Sequence, residues 1–135
     1  MSTVSIHIDT HRGLIIVTPA KLITVEEACD TLKSMLKLPD FKPSMPSVWD
    51  LRYTELMHIN GEDIGILSKL AEDLKDRRGK AKMAVVVGSN LSYGLGRVFE
   101  QLNETSHLEA RVFRSLEEGE RWTLNKQCHR RNDPS

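Results

Sequence analysis

Two cysteines, Cys29 and Cys128, are the only thiols in this 135-residue chain. They are too few for a disulfide framework and have no metal-ligand spacing. No excess of one charge is present either. The 19 basic residues match the 19 acidic ones, and the pI is near 7.0. A general nucleic-acid or acidic-membrane binder would carry a basic surplus, so both classes are excluded. Long apolar runs are missing. The longest, "LIIV" (14–17) and "MAVVV" (83–87), fall far short of the roughly 20 residues needed to span a bilayer. The first twelve residues, "MSTVSIHIDTHR", lack the apolar centre of a secretory signal. The expectation is a cytoplasmic protein without an integral membrane segment.

Signatures of catalysis are also lacking. No G-x-S-x-G elbow accompanies Ser89, His58 and Asp50, the residues from which a triad would have to be drawn. No paired-carboxylate motif stands out. "SYGLGRVFE" (92–100) holds two glycines, but neither G-x-G-x-x-G nor G-K-[ST] is present, so a nucleotide site is not expected. The basic stretch "DRRGKAK" (76–82) has no aromatic residues for base stacking and reads as a helix end and loop. No cofactor and no enzymatic activity are expected.

What remains is a regular pattern of elements in a chain about the size of one domain. Such a length buries roughly two-thirds of its unfolded surface and needs no staple. Val4, Ile6 and Ile8 alternate with Ser5, His7 and Asp9, which predicts a half-buried strand. "THRG" supplies a turn and "LIIVT" (14–18) a second strand, so the pair reads as a hairpin. Thr24 and Glu27 form a capping box ahead of Val25, Ala28, Cys29, Leu32, Met35 and Leu36 at helical spacing. On that stripe Cys29 is expected to be a buried thiol. "LPDFKPSMPS" (38–47) holds three prolines and must be a loop.

"VWDLR" (48–52) is a short strand. A second helix starts near Asn60, with Ile64, Leu67, Leu70, Ala71 and Leu74 inward, and ends in "KDRR" and Gly79. Cations and a left-handed glycine both suit a helix C-terminus. "MAVVVG" (83–88) is apolar throughout, as in a central strand or one covered on both faces. Leu91, Leu95, Val98, Phe99 and Leu102 define a third helix, and "EARVFR" (109–114) is the last strand. Ser115 and Glu118 cap a short fourth helix with Leu116 and Trp122, and a polar tail follows from residue 125. The order ββαβαβαβα implies one α/β domain over residues 1–124, with a mixed, mostly parallel five-stranded sheet and four helices.

In this order and spacing, "LPDFKPSMPSVWDLR", "MAVVVGSNLSYGLGRVFEQL" and "RVFRSLEEGERW" resemble the SpoIIAA-like branch of the STAS superfamily, a bacterial-type fold also compared with CRAL-TRIO domains. The likeness runs from about Val4 to Leu124. The resemblance implies two roles. Antagonist-type STAS domains dock a regulatory protein partner and are switched by serine phosphorylation at a helix N-terminus. CRAL-TRIO-like domains hold an apolar, lipid-like small molecule in a cavity. In the antagonists the phosphorylated serine lies in an Asp-Ser-Ser-Gly stretch. Aligned without gaps from Asp50, that stretch falls on His58, Ile59, Asn60 and Gly61. Asn60 stands where the phosphoacceptor would be, and asparagine accepts no phosphoryl group. A non-enzymatic regulatory or interaction domain without the usual phospho-switch is the first expectation. A carrier or sensor of an apolar ligand is the alternative.

The individual residues have plainer readings beside these. Asn60 is a good N-cap, with Glu62 and Asp63 favourable at the positive end of the helix dipole. His7, Asp9 and His11 would share a strand face, but their spacing suits only part of a zinc site, and a solvated outer strand explains them as well. Gly94 and Gly96 suggest close approach by a helix, a sheet or a ligand, with Tyr93 and Arg97 at a ligand's rim. Trp49, Asp50 and Arg52 end a central strand, where open α/β sheets usually bind ligands, or make a structural ion pair. The candidate partner or ligand residues are therefore Trp49, Asp50, Arg52, His58, Asn60, Gly61, Tyr93, Gly94 and Arg97. No metal site is expected. Pairing of two copies through an exposed face is a further candidate.

Overall fold

The computed structural model describes residues 4–56, 58–103 and 108–125. Strand β1 (Ser5–Asp9) pairs antiparallel with β2 (Leu14–Thr18), with Ile6 opposite Val17 and Ile8 opposite Ile15. Gly13 takes φ +63° in the turn between them, a conformation that side chains oppose. Strands β3 (Ser47–Leu51), β4 (Ala81–Val87) and β5 (Leu108–Phe113) add in parallel, and the sheet order is β1-β2-β3-β4-β5. Alternation along the strands divides the side chains between two faces.

Helices α1 (Val25–Met35), α2 (Gly61–Asp73) and α4 (Asn90–Leu102) serve as the three crossovers between parallel strands. Consecutive right-handed crossovers between adjacent strands place all three on one face. The larger core lies there. It joins Ile15, Val17, Trp49, Leu51, Met83, Val85 and Val87 of the strands to Leu32, Ile64 and Phe99 of the helices. The smaller core lies on the opposite face, where Leu14, Val48, Ala84 and Val86 meet Trp122 of α5 (Leu116–Leu124). Strand β4 is thus covered on both sides, which is why its sequence is apolar without alternation. The fold is α/β, with a mixed, mostly parallel five-stranded sheet, as the sequence predicts.

The helix count differs. Four helices are expected, and a fifth, α3 (Lys75–Arg78), breaks away from the end of α2. The break is at Leu74, with φ −95° and ψ 5°. Its carbonyl accepts from the N–H groups of both Arg77 and Arg78, so the chain turns anew rather than continuing. Gly79 ends α3 at φ +76°. The extra turn carries Arg78 inward, where it is buried and donates from Nη1 to the Ala71 carbonyl at 2.6 Å. Its Nε and Nη2 have no partner among the described residues, and burial lowers its pKa. The basic stretch 76–82 therefore loses one of its cations to the interior.

Two smaller expectations are corrected. Cys29 is half-buried, not buried, although burial still raises its pKa. Helix α4 buries Ser92, Gly96 and Phe99, while Leu91 and Leu102 are 56% and 51% exposed. The polar tail, including Cys128, lies outside the described residues apart from Asn125.

Candidate functional site

The parallel strands end at one edge of the sheet, and each crossover helix starts there. Position at this edge follows from chain order: residues 19–24, 52–60 and 88–89 join each strand end to the helix that follows. After β3, the loop to α2 is fixed at several points. Thr54 Oγ1 donates to the Ala20 carbonyl at 2.8 Å, and the Glu55 N–H donates to the Lys21 carbonyl at 2.7 Å. Leu56 and Ile59 are buried beneath the loop. Gly88, just after β4, sits against the Arg52 carbonyl, leaving no room for a side chain.

Asp50 and Arg52 make a bidentate pair. Arg52 Nε lies 2.9 Å from Asp50 Oδ1, and Nη2 lies 3.0 Å from Oδ2. The guanidinium holds the Asp50 carboxyl below the usual carboxylate range, against a smaller opposing effect of burial. The same guanidinium stands 5.0 Å from the centre of the Tyr53 ring. Tyr53 is itself 76% exposed. The structural Asp–Arg pairing is therefore the reading that holds for these two residues. It also occupies both Asp50 oxygens, and Ser89 Oγ caps α4 by accepting from the Ser92 N–H.

Asn60 caps α2 reciprocally. Its Oδ1 accepts from the Asp63 N–H at 2.9 Å, while Asp63 Oδ2 accepts from the Asn60 N–H at 3.2 Å. This capping box satisfies two groups that a helix start otherwise leaves open. His58, Asn60, Gly61 and Glu62 are all exposed. They form an exposed, capped corner with an acidic first turn.

The other candidates are divided. Tyr93 stacks with Arg114, whose Cζ lies 4.5 Å from the ring centre and whose Nη2 donates to Asn90 at 2.8 Å. Arg97 pairs with Glu100 at 2.7 Å. Glu100 also accepts from the Val112 N–H on the outer edge of β5, a link that no sequence pattern signals. Gly94 faces open space, so the close approach expected of it does not occur. Gly96 does make one, against Val112. Asp9 is held by Arg12 at 2.8 Å, and no cluster of metal-ligating side chains exists among the described residues.

Trp49 points into the larger core, where an apolar cavity of about 80 Å³ lies between the helices and the sheet. Ala28, Leu32, Ile64, Leu95 and Phe99 line it from the helix side. The Trp49 Nε1–H is buried and has no partner among the described residues.

Comparison with solved structures places the fold. The chain is similar to the crystal structure of an uncharacterized protein of the DUF3478 family, with a SpoIIAA-like fold, from Shewanella loihica PV-4. The TM-score is 0.56 at 16% identity, covering 91% of this chain and 95% of that one. No protein-family model matches the chain, and no curated protein does. The fold is SpoIIAA-like. No helix among the described residues is long and apolar enough to cross a membrane.

Proposed function

We propose that the protein is a non-enzymatic STAS-type interaction domain that docks a regulatory protein partner at the start of α2 and the neighbouring strand-end loops. The observation that carries this reading is the corner at Asn60. It is exposed, rigidly capped, and acidic through Glu62 and Asp63, at the position where the resemblance places a phosphoacceptor serine. A phosphorylated antagonist gains negative charge there only on modification. Here the charge is permanent, so docking is constitutive at this corner. Trp49 lies in the core on the α2 face of the sheet, Asp50 and Arg52 end β3 toward the α5 face, and His58 and Gly61 belong to the surface of the corner.

The lipid-carrier reading has less support. Pockets for drug-sized ligands have volumes of roughly 300–1,000 Å³. The cavity of about 80 Å³ is well below that. Two measurements test the proposal together. The substitutions Glu62→Lys and His58→Lys make the corner positive and change only exposed side chains, so the fold is retained. Partners captured by the wild type are expected to be lost by this double variant. Unchanged capture would refute the assigned surface. Native mass spectrometry of the purified protein is expected to show the bare chain mass, and a co-purified lipid-sized species would favour the carrier instead.

A further inference from the structure

Strand β5 ends the sheet on one side, and its outer edge is held by a side chain of α4. The Val112 N–H points away from β4 and donates to Glu100 Oε2. Backbone groups alternate in direction along a strand, so Leu108 and Ala110 turn theirs to the same outer side. The reach of Glu100 follows from packing. Gly96 sits directly on the Val112 side chain, which brings α4 close to β5. Glu100 lies one turn further along the same helix face and meets the edge there. Its other oxygen, Oε1, takes Arg97 at 2.7 Å, and the side chain is 15% exposed. A carboxylate is thus mostly buried and neutralised in order to serve a backbone donor. An edge left open presents a row of donors and acceptors that templates the addition of another strand.

The strand is self-complementary about a two-fold axis. An antiparallel copy centred on Ala110 sets Leu108 opposite Val112 and Glu109 opposite Arg111. Glu109 and Arg111 are both exposed. The pairing therefore places opposite charges face to face twice, once on each side of the axis. We propose that Glu100 is an intramolecular latch that keeps the edge of β5 closed to β5 of a second copy of the chain. In the two-fold pair, the Val112 N–H would donate to the Leu108 carbonyl of the other copy. Glu100 Oε2 already stands where that carbonyl oxygen would have to come. A carboxylate only accepts hydrogen bonds, so it repels the incoming oxygen rather than sharing the donor with it. The latch lies on α4 and β5, away from the start of α2, and stands or falls independently of the docking surface proposed above.

Sedimentation equilibrium of the full chain from about 20 to 500 µM compares the wild type with Glu100→Ala and Glu100→Gln. Glu100→Ala opens the edge. Its average mass is expected to rise from 15.3 kDa toward twice that value, with a dissociation constant at least about tenfold below that of the wild type. Glu100→Gln keeps an acceptor oxygen for the Val112 N–H and should follow the wild type. Adding Ala110→Pro to Glu100→Ala removes an outward donor, a change that edge strands tolerate, and should restore wild-type behaviour. Hydrogen exchange in dilute protein reads the latch itself, and the Val112 amide should exchange at least about tenfold faster in Glu100→Ala. A Glu100→Ala mass curve that coincides with that of the wild type overturns the proposal. So does Glu100→Gln associating as strongly as Glu100→Ala, or a Val112 amide whose exchange is unchanged. Association that persists with Ala110→Pro overturns the pairing through β5. Where circular dichroism shows the proline variant unfolded, Glu100→Ala against Glu100→Gln decides alone.

Discussion

Replacing glycine with alanine at positions 88, 96 and 65 adds the same methyl group to three different surroundings. A Cβ at Gly88 would lie 2.3 Å from the Arg52 carbonyl oxygen and 3.2 Å from its carbon. Contact distances for such atoms are about 3.5 Å, so one of two backbones must move by roughly an ångström. Neither backbone is free to do so. Arg52 follows β3 and Gly88 follows β4, and all of β3 is paired with β4, from Ser47 opposite Met83 to Leu51 opposite Val87. Overpacking of this kind costs about 1–3 kcal/mol, and contact with backbone places Gly88→Ala at about 3. At Gly96 the methyl would meet Val112 Cγ2 at 2.6 Å. A clash costing about 2 kcal/mol is offset by about 1 kcal/mol of helix propensity, leaving a net loss of about 1. At Gly65, inside α2, nothing lies within 4 Å. There the propensity gain stands alone, and Gly65→Ala should stabilise by roughly 0.5–1 kcal/mol.

Urea titration of the three variants, read as midpoint shifts at constant slope, measures these differences directly. Thermal melts should show the same order, at about 3–4 °C per kcal/mol for a domain of this size. The predicted order is Gly65→Ala above wild type, Gly96→Ala slightly below and Gly88→Ala far below. A Gly88→Ala midpoint within about 0.5 kcal/mol of wild type would refute the packing described at the strand ends, and so would a loss at Gly65 equal to that at Gly88.

Asn60→Ala should cost about 1 kcal/mol in denaturant stability by removing the cap of α2, while Asn60→Asp, which keeps an acceptor oxygen, should recover most of it. Asp50→Asn should change the acid limb of the stability curve. Arg52 depresses the Asp50 pKa in the fold, so the stabilisation is present above the unfolded value near 3.9 and is lost as pH falls through the lower folded value. Between about pH 5 and 3 the variant's midpoints should therefore fall less steeply than the wild type's. Ala28→Val adds two methyl groups to the wall of the cavity. Thermal melts should show stability unchanged or raised by up to about 1 kcal/mol, whereas a fully packed site would lose about 1–3 kcal/mol.

Most of the fold was legible because each element carries a local signal. Thr24 with Glu27, and Ser115 with Glu118, announce helix starts, and both helices begin where those caps stand. Alternation fixed the faces of β1, and the unbroken apolar run 83–87 marked β4 as covered on both faces. The break at Leu74 was not legible. "KDRR" followed by Gly79 is equally good chemistry for one long helix or for a helix and a separate turn, and only the buried position of Arg78 distinguishes them. Gly94 and Gly96 were likewise indistinguishable in sequence. Their difference is set by Val112, a residue on another element, which packs against one and not the other. The start of α2 was legible at Asn60, through its capping preference. The pairing of Asp50 with Arg52 was one of two readings, and geometry decided it. Arg114 on Tyr93 and Glu100 on Val112 join residues more than ten positions apart, beyond the reach of any periodicity.

The cavity and the corner proposed for docking share their supports. Leu56, Ile59 and Ile64 line the cavity and are the same buried residues that seat the loop before Asn60 and the first turns of α2. Enlarging the cavity from about 80 Å³ to the roughly 300 Å³ of a ligand pocket would require this wall to move outward. The hydrogen bonds from Thr54 to Ala20 and from Glu55 to Lys21 oppose that movement, since they tie the loop to the segment ahead of α1. They hold α2's start at a fixed height above the sheet. A wall held in this way suits a surface that presents the same charge at all times better than a gate that must open for cargo. The two ties beneath Asn60 thus count toward docking and against carriage on the same physical ground.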